Sequence, residues 1–174
     1  MVILLIVVGM IFLMTVFSYL YLYGVHPEFW SSPPDLWWLL PILAGYGGAA
    51  AMAMLARRLL AREKTTLWTP PTLMSFAALG LLCAVLIEFR SWNAAGLDPQ
   101  LSGQGAMVYA FVSLQALVTA VAVLMTAYLA ARNSRGLVTR PRNNTFDLTT
   151  IFLVYAAAQG TIGTLLARLF PGAL

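Results

Sequence analysis

The chain has 174 residues, 61% of them hydrophobic and 9% charged, with a net charge of +4 and a mean hydropathy of +0.84. A soluble domain carries roughly 25% charged residues, so this composition excludes a water-coated surface and makes hydrocarbon the main solvent. One cysteine, Cys83, excludes an internal disulfide, and one histidine, His26, supplies no ligand set for a haem or zinc site within this chain.

The length suits a single domain over residues 1–174, undivided by any linker-like stretch. A membrane-spanning helix needs about 20 apolar residues, because each rises 1.5 Å through a hydrocarbon layer about 30 Å thick. Five stretches satisfy this, and they predict helices over residues 2–23, 36–56, 67–87, 106–131 and 148–167. None alternates with period two, so the fold class is all-α, a polytopic bundle of five transmembrane helices. The first stretch lacks a basic leader and a small-residue cleavage site, and reads as a retained helix rather than a signal peptide.

The connections are short. Residues 24–35 contain Pro27, Pro33 and Pro34, which block helix continuation. Residues 57–66 carry Arg57, Arg58, Arg62 and Lys64, and residues 132–147 carry Arg132, Arg135, Arg140 and Arg142. The opposite side has only Arg90 and Arg168, and a bias of eight against two puts the basic side in the cytoplasm. The expected layout is therefore N-terminus cytoplasmic and C-terminus periplasmic. Tyr19, Tyr21, Tyr23, Trp30, Trp37 and Trp38 read as markers of one interface, and Trp68 of the other. Asn143-Asn144-Thr145 matches a glycosylation sequon on a cytoplasmic loop, where it stays unmodified. Thr145 or Asp147 is suited to cap the fifth helix. Basic residues confined to two loops, not interleaved with aromatics, argue against nucleic acid as a partner.

Small residues recur at four-residue spacing in the second helix, at Gly45, Ala49 and Ala53 and again at Ala44 and Gly48, and in the fifth at Ala156, Gly160 and Thr164. Such stripes let helix backbones approach closely where no hydrophobic force drives association. Gln115 and Gln159 are the deepest strongly polar side chains, suited to hydrogen bonds between helices or with another subunit. Glu88, Arg90 and Trp92 fall where the third stretch meets the outer interface, which predicts a surface or subunit contact. No carboxylate or histidine is expected within a membrane core. His26 reads as a solvated loop residue, and no catalytic triad, phosphate loop or metal spacing is present.

Several segments resemble subunit III of the cytochrome c oxidase (heme-copper oxidase) family, in its five-helix form, like the subunit-III-like region fused to subunit I in some bacterial oxidases. Phe17-Ser-Tyr-Leu-Tyr-Leu-Tyr23 with Pro27-Glu-Phe-Trp30 and Pro33-Pro34 resembles the first helix and outer loop. Leu86-Ile-Glu-Phe-Arg90 resembles a glutamate-bearing helix end, and Ala106-Met-Val-Tyr-Ala-Phe-Val-Ser-Leu-Gln115 the following helix. Phe146-Asp147, Tyr155-Ala-Ala-Ala-Gln-Gly160 and Phe170-Pro-Gly172 are similar to the last helix and its end. The similarity spans nearly the whole chain in short, moderately specific motifs. Where the family usually carries an intramembrane glutamate and two histidines, this chain has Val8, Val118 and Val154, which leaves proton-uptake support without its usual carriers.

The resemblance implies a non-catalytic accessory subunit of a respiratory terminal oxidase in a bacterial inner membrane, functioning in aerobic electron transport. It implies oxidase subunit I and other respiratory-complex subunits as partners, with haem and copper in subunit I and no cofactor in this chain. It also implies phospholipid held in a cleft between the first two helices and the remaining three. The alternatives are an accessory subunit of a nitric oxide reductase or quinol oxidase, and a small membrane transporter or scaffold unrelated to oxidases. A transporter predicts broken helices, mid-membrane charges and inverted repeats, and none is evident in the sequence.

Overall fold

A computed structural model describes residues 2–27, 30, 32–61, 69–137 and 144–170. Five helices account for most of them: α1 (Val2–Val25), α2 (Leu39–Ala61), α3 (Thr69–Ala94), α4 (Gly103–Ser134) and α5 (Asn144–Leu169), with a 3₁₀ turn at Leu36–Trp38 before α2. Each of the five is long and apolar enough to cross a bilayer, and no strand occurs among the described residues. Helix is the solution that hydrocarbon permits, because every backbone N–H and C=O finds its partner within the segment. Pro41, Pro70 and Pro71 lie in the first turns of α2 and α3, where a backbone N–H would have no intrahelical acceptor.

The helices run past the expected stretches at their C-terminal ends, and α4 and α5 also begin earlier than expected. α3 continues through Glu88 to Ala94 instead of stopping at residue 87, so Glu88, Arg90 and Trp92 are helical. α4 begins at Gly103 rather than 106 because Ser102 caps it, its Oγ accepting from the Gly105 N–H at 3.0 Å. Gly96, with φ +71°, turns the chain between α3 and α4 in a conformation that costs other residues strain. α5 begins at Asn144, so Thr145 and Asp147 are residues of its first turn rather than its cap.

Helices α2 to α5 form a four-membered ring: α2 packs on α3 and α5, and α4 on α3 and α5. The tightest seam is between α2 and α3. A Cβ added at Gly45 would come within 2.9 Å of Ala84 Cβ and 3.1 Å of the Gly80 carbonyl oxygen, while one added at Gly80 would lie 3.4 Å from the Gly45 oxygen. Ala49 and Ala53 are buried along the same face, whereas Ala44 is exposed and Gly48 meets nothing. α1 lies outside the ring against α4 and α5, through Phe12 and Tyr19 on the Phe111 ring (centroids 5.9 and 5.6 Å). Only 11% of its spanning window is buried, against 56% for α5, so α1 is the outermost helix and α5 the most enclosed.

This arrangement corrects one expectation taken from the family resemblance. The first two helices do not stand together across a cleft from the other three, because α2 is a member of the ring and α1 is applied to its far side.

Two ends of the bundle are distinct. At one, Arg57 of α2 pairs with Asp147 of α5 (Nε to Oδ1, 2.9 Å), and Arg132 of α4 donates to Thr145 Oγ1 at 3.0 Å. At the other, Tyr19 of α1 donates to the Ala167 carbonyl at 3.2 Å, and Tyr19, Tyr23, Trp30 and Phe170 stack edge to face. Tyr19 is buried at this end of the bundle, whereas Tyr21 and Trp37 are exposed. Arg62, Lys64, Trp68, Arg140, Arg142 and Asn143, which enter the sequence reading of topology, lie outside the described residues.

Candidate functional site

On α3, Glu88, Ser91 and Trp92 stand three and four residues apart and so share one helical face. That face points into the ring, and Arg90 points out of it: Glu88 is 5% exposed, Ser91 and Trp92 1% each, and Arg90 lies in the exposed class. On α5, Gly160, Thr164 and Arg168 repeat at four-residue spacing and face the same interior.

The two faces lock together around the Glu88 carboxylate. Its Oε1 accepts from the Thr164 hydroxyl at 2.7 Å and its Oε2 from the Tyr46 hydroxyl at 3.0 Å, so α2, α3 and α5 meet on one group. One turn further along, Arg168 Nη2 donates to Ser91 Oγ, and that hydroxyl donates to the Glu88 carbonyl at 2.7 Å. The Arg168 guanidinium lies over the Trp92 ring, 5.2 Å from its centroid, a cation–π contact strengthened by exclusion of solvent. Arg168, only 1% exposed, is thus a buried cation, close enough to Glu88 for the two opposite charges to act on each other, while its Nε and Nη1 have no hydrogen-bond partner among the described residues. The structure therefore places a carboxylate and a guanidinium within the third and fifth spans, where the sequence reading places neither.

Below this cluster, Gln115 of α4 donates through Nε2 to the Ala156 carbonyl of α5 at 2.8 Å. Gly160 is what lets Tyr46 reach Glu88. A Cβ there would lie 2.5 Å from Tyr46 Cε1 and Cζ and 2.8 Å from Gln115 Nε2. Gln159 is buried beside it. The structure thus brings together Glu88, Trp92, Gln115, Gln159 and Gly160 from the sequence candidates. It leaves Arg90 on the outside and puts Gly45, Ala49 and Ala53 in the α2–α3 seam. Tyr46, Ser91, Thr164 and Arg168 join them as polar partners that the sequence candidates do not include. Their signal lay in helical spacing, since Glu88–Ser91–Trp92 and Thr164–Arg168 each define a polar face among apolar neighbours.

Two cavities adjoin this framework and another lies apart from it. One of about 560 Å³ lies between the basic C-terminal end of α2 and the N-terminal part of α5, lined by Met54, Arg57, Arg58, Thr150, Ile151 and Val154. One of about 330 Å³ opens at the opposite end, with Asp35 and Trp38 at its rim and Ser91 in its wall. The third is small, about 10 Å³, and touches Glu88, Gln115 and Gln159. Among the described residues no three His, Cys, Asp or Glu side chains converge as metal ligands would. No protein-family model, curated protein or solved structure matches this chain.

Proposed function

We propose that this chain is a non-catalytic accessory subunit of a respiratory terminal oxidase of the cytochrome c oxidase type. It packs against the haem- and copper-bearing subunit I in a bacterial inner membrane, with its basic end in the cytoplasm. The observation that carries this reading is the outer face of α1. Ile3, Ile6, Val7, Met10, Leu13, Met14, Phe17 and Tyr21 recur three and four residues apart and are all exposed, which makes a continuous apolar seam of the kind that receives another membrane helix. Within the ring, Tyr46 and Thr164 turn their hydroxyls inward onto Glu88 and away from the outer surface. The family resemblance of the first helix, the α3 end and α5 supplies the identity of the partner.

Phospholipid binding belongs to the same reading, at a different place from the family's cleft. The 560 Å³ groove between α2 and α5 has apolar walls at Met54, Ile151 and Val154 and two guanidinium groups at its mouth. That pairing matches an acyl chain beneath an anionic headgroup. An accessory subunit of a nitric oxide reductase or quinol oxidase would present the same seam, the electron donor being recognised elsewhere. The test is purification in mild detergent with a haem spectrum and a subunit list. Haem and copper co-purifying on a large multi-helix partner, and lost when Met10 and Phe17 are both changed to alanine, is the expected result. Recovery of the chain alone, free of haem protein, overturns the reading.

A further inference from the structure

We propose that the small cavity bounded by Phe12, Glu88, Phe111, Gln115, Gln159 and Gly163 is a binding site for one water molecule, held between the two glutamine oxygens beside the Glu88 carboxylate. Its volume of about 10 Å³ is close to the least that admits a single water and too small for anything larger. Gln115 and Gln159 are each 4% exposed, and the Oε1 atom of each has no donor among the described residues. The orientation of Gln115 is set independently, because its Nε2 already donates to the Ala156 carbonyl at 2.8 Å. Turning the amide over would put two oxygens in contact, so Oε1 is the atom left to face the cavity. Water is the ligand that matches two acceptors, since it brings two donors. Buried oxygens of this kind are nearly always paired in native proteins, by protein or by ordered water.

Glycine makes the room. Gly160 and Gly163 both line the space, and a side chain at either would enter it or its walls. The bound water would join α4 and α5 through the glutamines, in a space that Glu88 of α3 also lines, so the packing of α4 on α5 depends on it. This is a positioning role, and it asks nothing of any partner subunit.

The two outcomes for Gly163→Ala have opposite signs. The added Cβ would sit 3.5 Å from Phe12 Cε2 and 3.8 Å from Phe111 Cδ1, ordinary contacts, and both rings belong to the cavity wall. In a dry cavity the methyl fills a void and removes a helical glycine, and the melting temperature of the full chain rises. With water bound, the methyl displaces it and strands two oxygens, and the melting temperature falls by about 2–4 °C or more. A second substitution checks the cause. Gln159→Leu is expected to lower the melting temperature of the parent but to raise that of the Gly163→Ala chain, where it removes a stranded acceptor. A Gly163→Ala chain melting at or above the parent, or an equal effect of Gln159→Leu in both backgrounds, overturns the proposal.

Discussion

At the scale of single residues, Glu88 decides how the interior is built. A carboxylate taken out of water is costly unless its oxygens are bonded and its charge balanced, and here Tyr46 and Thr164 supply the bonds and Arg168 the opposite charge nearby. Removing one member should therefore cost more than removing both. Arg168→Met leaves the carboxylate without its counter-charge and is expected to destabilise the chain by about 3–5 kcal/mol. The double change Glu88→Gln with Arg168→Met should recover part of that loss. Glu88→Gln alone keeps the shape and one acceptor, whereas Glu88→Leu strands the buried Tyr46 hydroxyl at about 1–3 kcal/mol. Thermal melts of the four chains check the order. On the function proposed above, turnover per intact complex should hold with Glu88→Gln while the yield of complex falls. The sequence alone ends the third stretch at residue 87, just before Glu88, because an ionisable residue in an apolar run ordinarily marks the membrane surface. The partners that let the helix continue are 42 and 76 residues away, and nothing local to Glu88 announces them.

At the scale of the elements, close approach between helices rests on which glycines have a neighbour. The run from Ala44 to Ala56 contains two small-residue stripes, and periodicity alone cannot say which one meets a partner. The packing selects Gly45, Ala49 and Ala53, because Gly80 and Ala84 of α3 present a matching flat surface and allow the backbones to touch. The choice gives paired mutants of opposite sign. Gly45→Ala drives a methyl to 2.9 Å from Ala84 Cβ and 3.1 Å from a backbone oxygen, neither of which can swing aside, so α2 and α3 must separate at a cost of about 1–3 kcal/mol. Gly48→Ala meets nothing and should stabilise by roughly 0.5–1 kcal/mol through the helix alone. Ala49→Leu, one turn along the seam, should behave like Gly45→Ala. Detergent melts that rank Gly48→Ala at or below Gly45→Ala would remove this seam from the account. The existence and type of all five helices were legible from runs of apolar residues, since hydrocarbon leaves the chain no other choice. Their ends were not, because caps and internal pairs such as Ser102 and Glu88 let polar residues stay helical.

At the scale of the molecule, the bundle has a charged end and an aromatic end, and the difference between them sets its orientation. Arg57, Arg58, Arg132 and Arg135 cluster at the ends of α2 and α4, and only Arg57 among them pairs with a carboxylate of the described residues. Of the two cations assigned to the opposite side by sequence, Arg168 is enclosed beside Trp92 and within the influence of the Glu88 carboxylate, so it adds little to the outer surface. Arg90 is the exposed cation left at that end of the described chain. Burying Arg168 thus sharpens the asymmetry that the loop count registers. The attraction of each basic residue to an anionic leaflet is worth about 1 kcal/mol near the surface, and charges close to helix ends resist translocation during insertion. A reporter fused after Leu174 is therefore expected outside the cytoplasm and one fused before Met1 inside it, as read by a phosphatase active only outside and a fluorescent protein bright only inside. Changing Arg57, Arg58, Arg132 and Arg135 together to glutamine should produce a mixed population, while Arg168→Gln should destabilise the fold without changing its direction. A Leu174 fusion that reports from the cytoplasm would reverse the bundle, put the α2–α5 groove in the other leaflet, and remove the charge argument for its orientation.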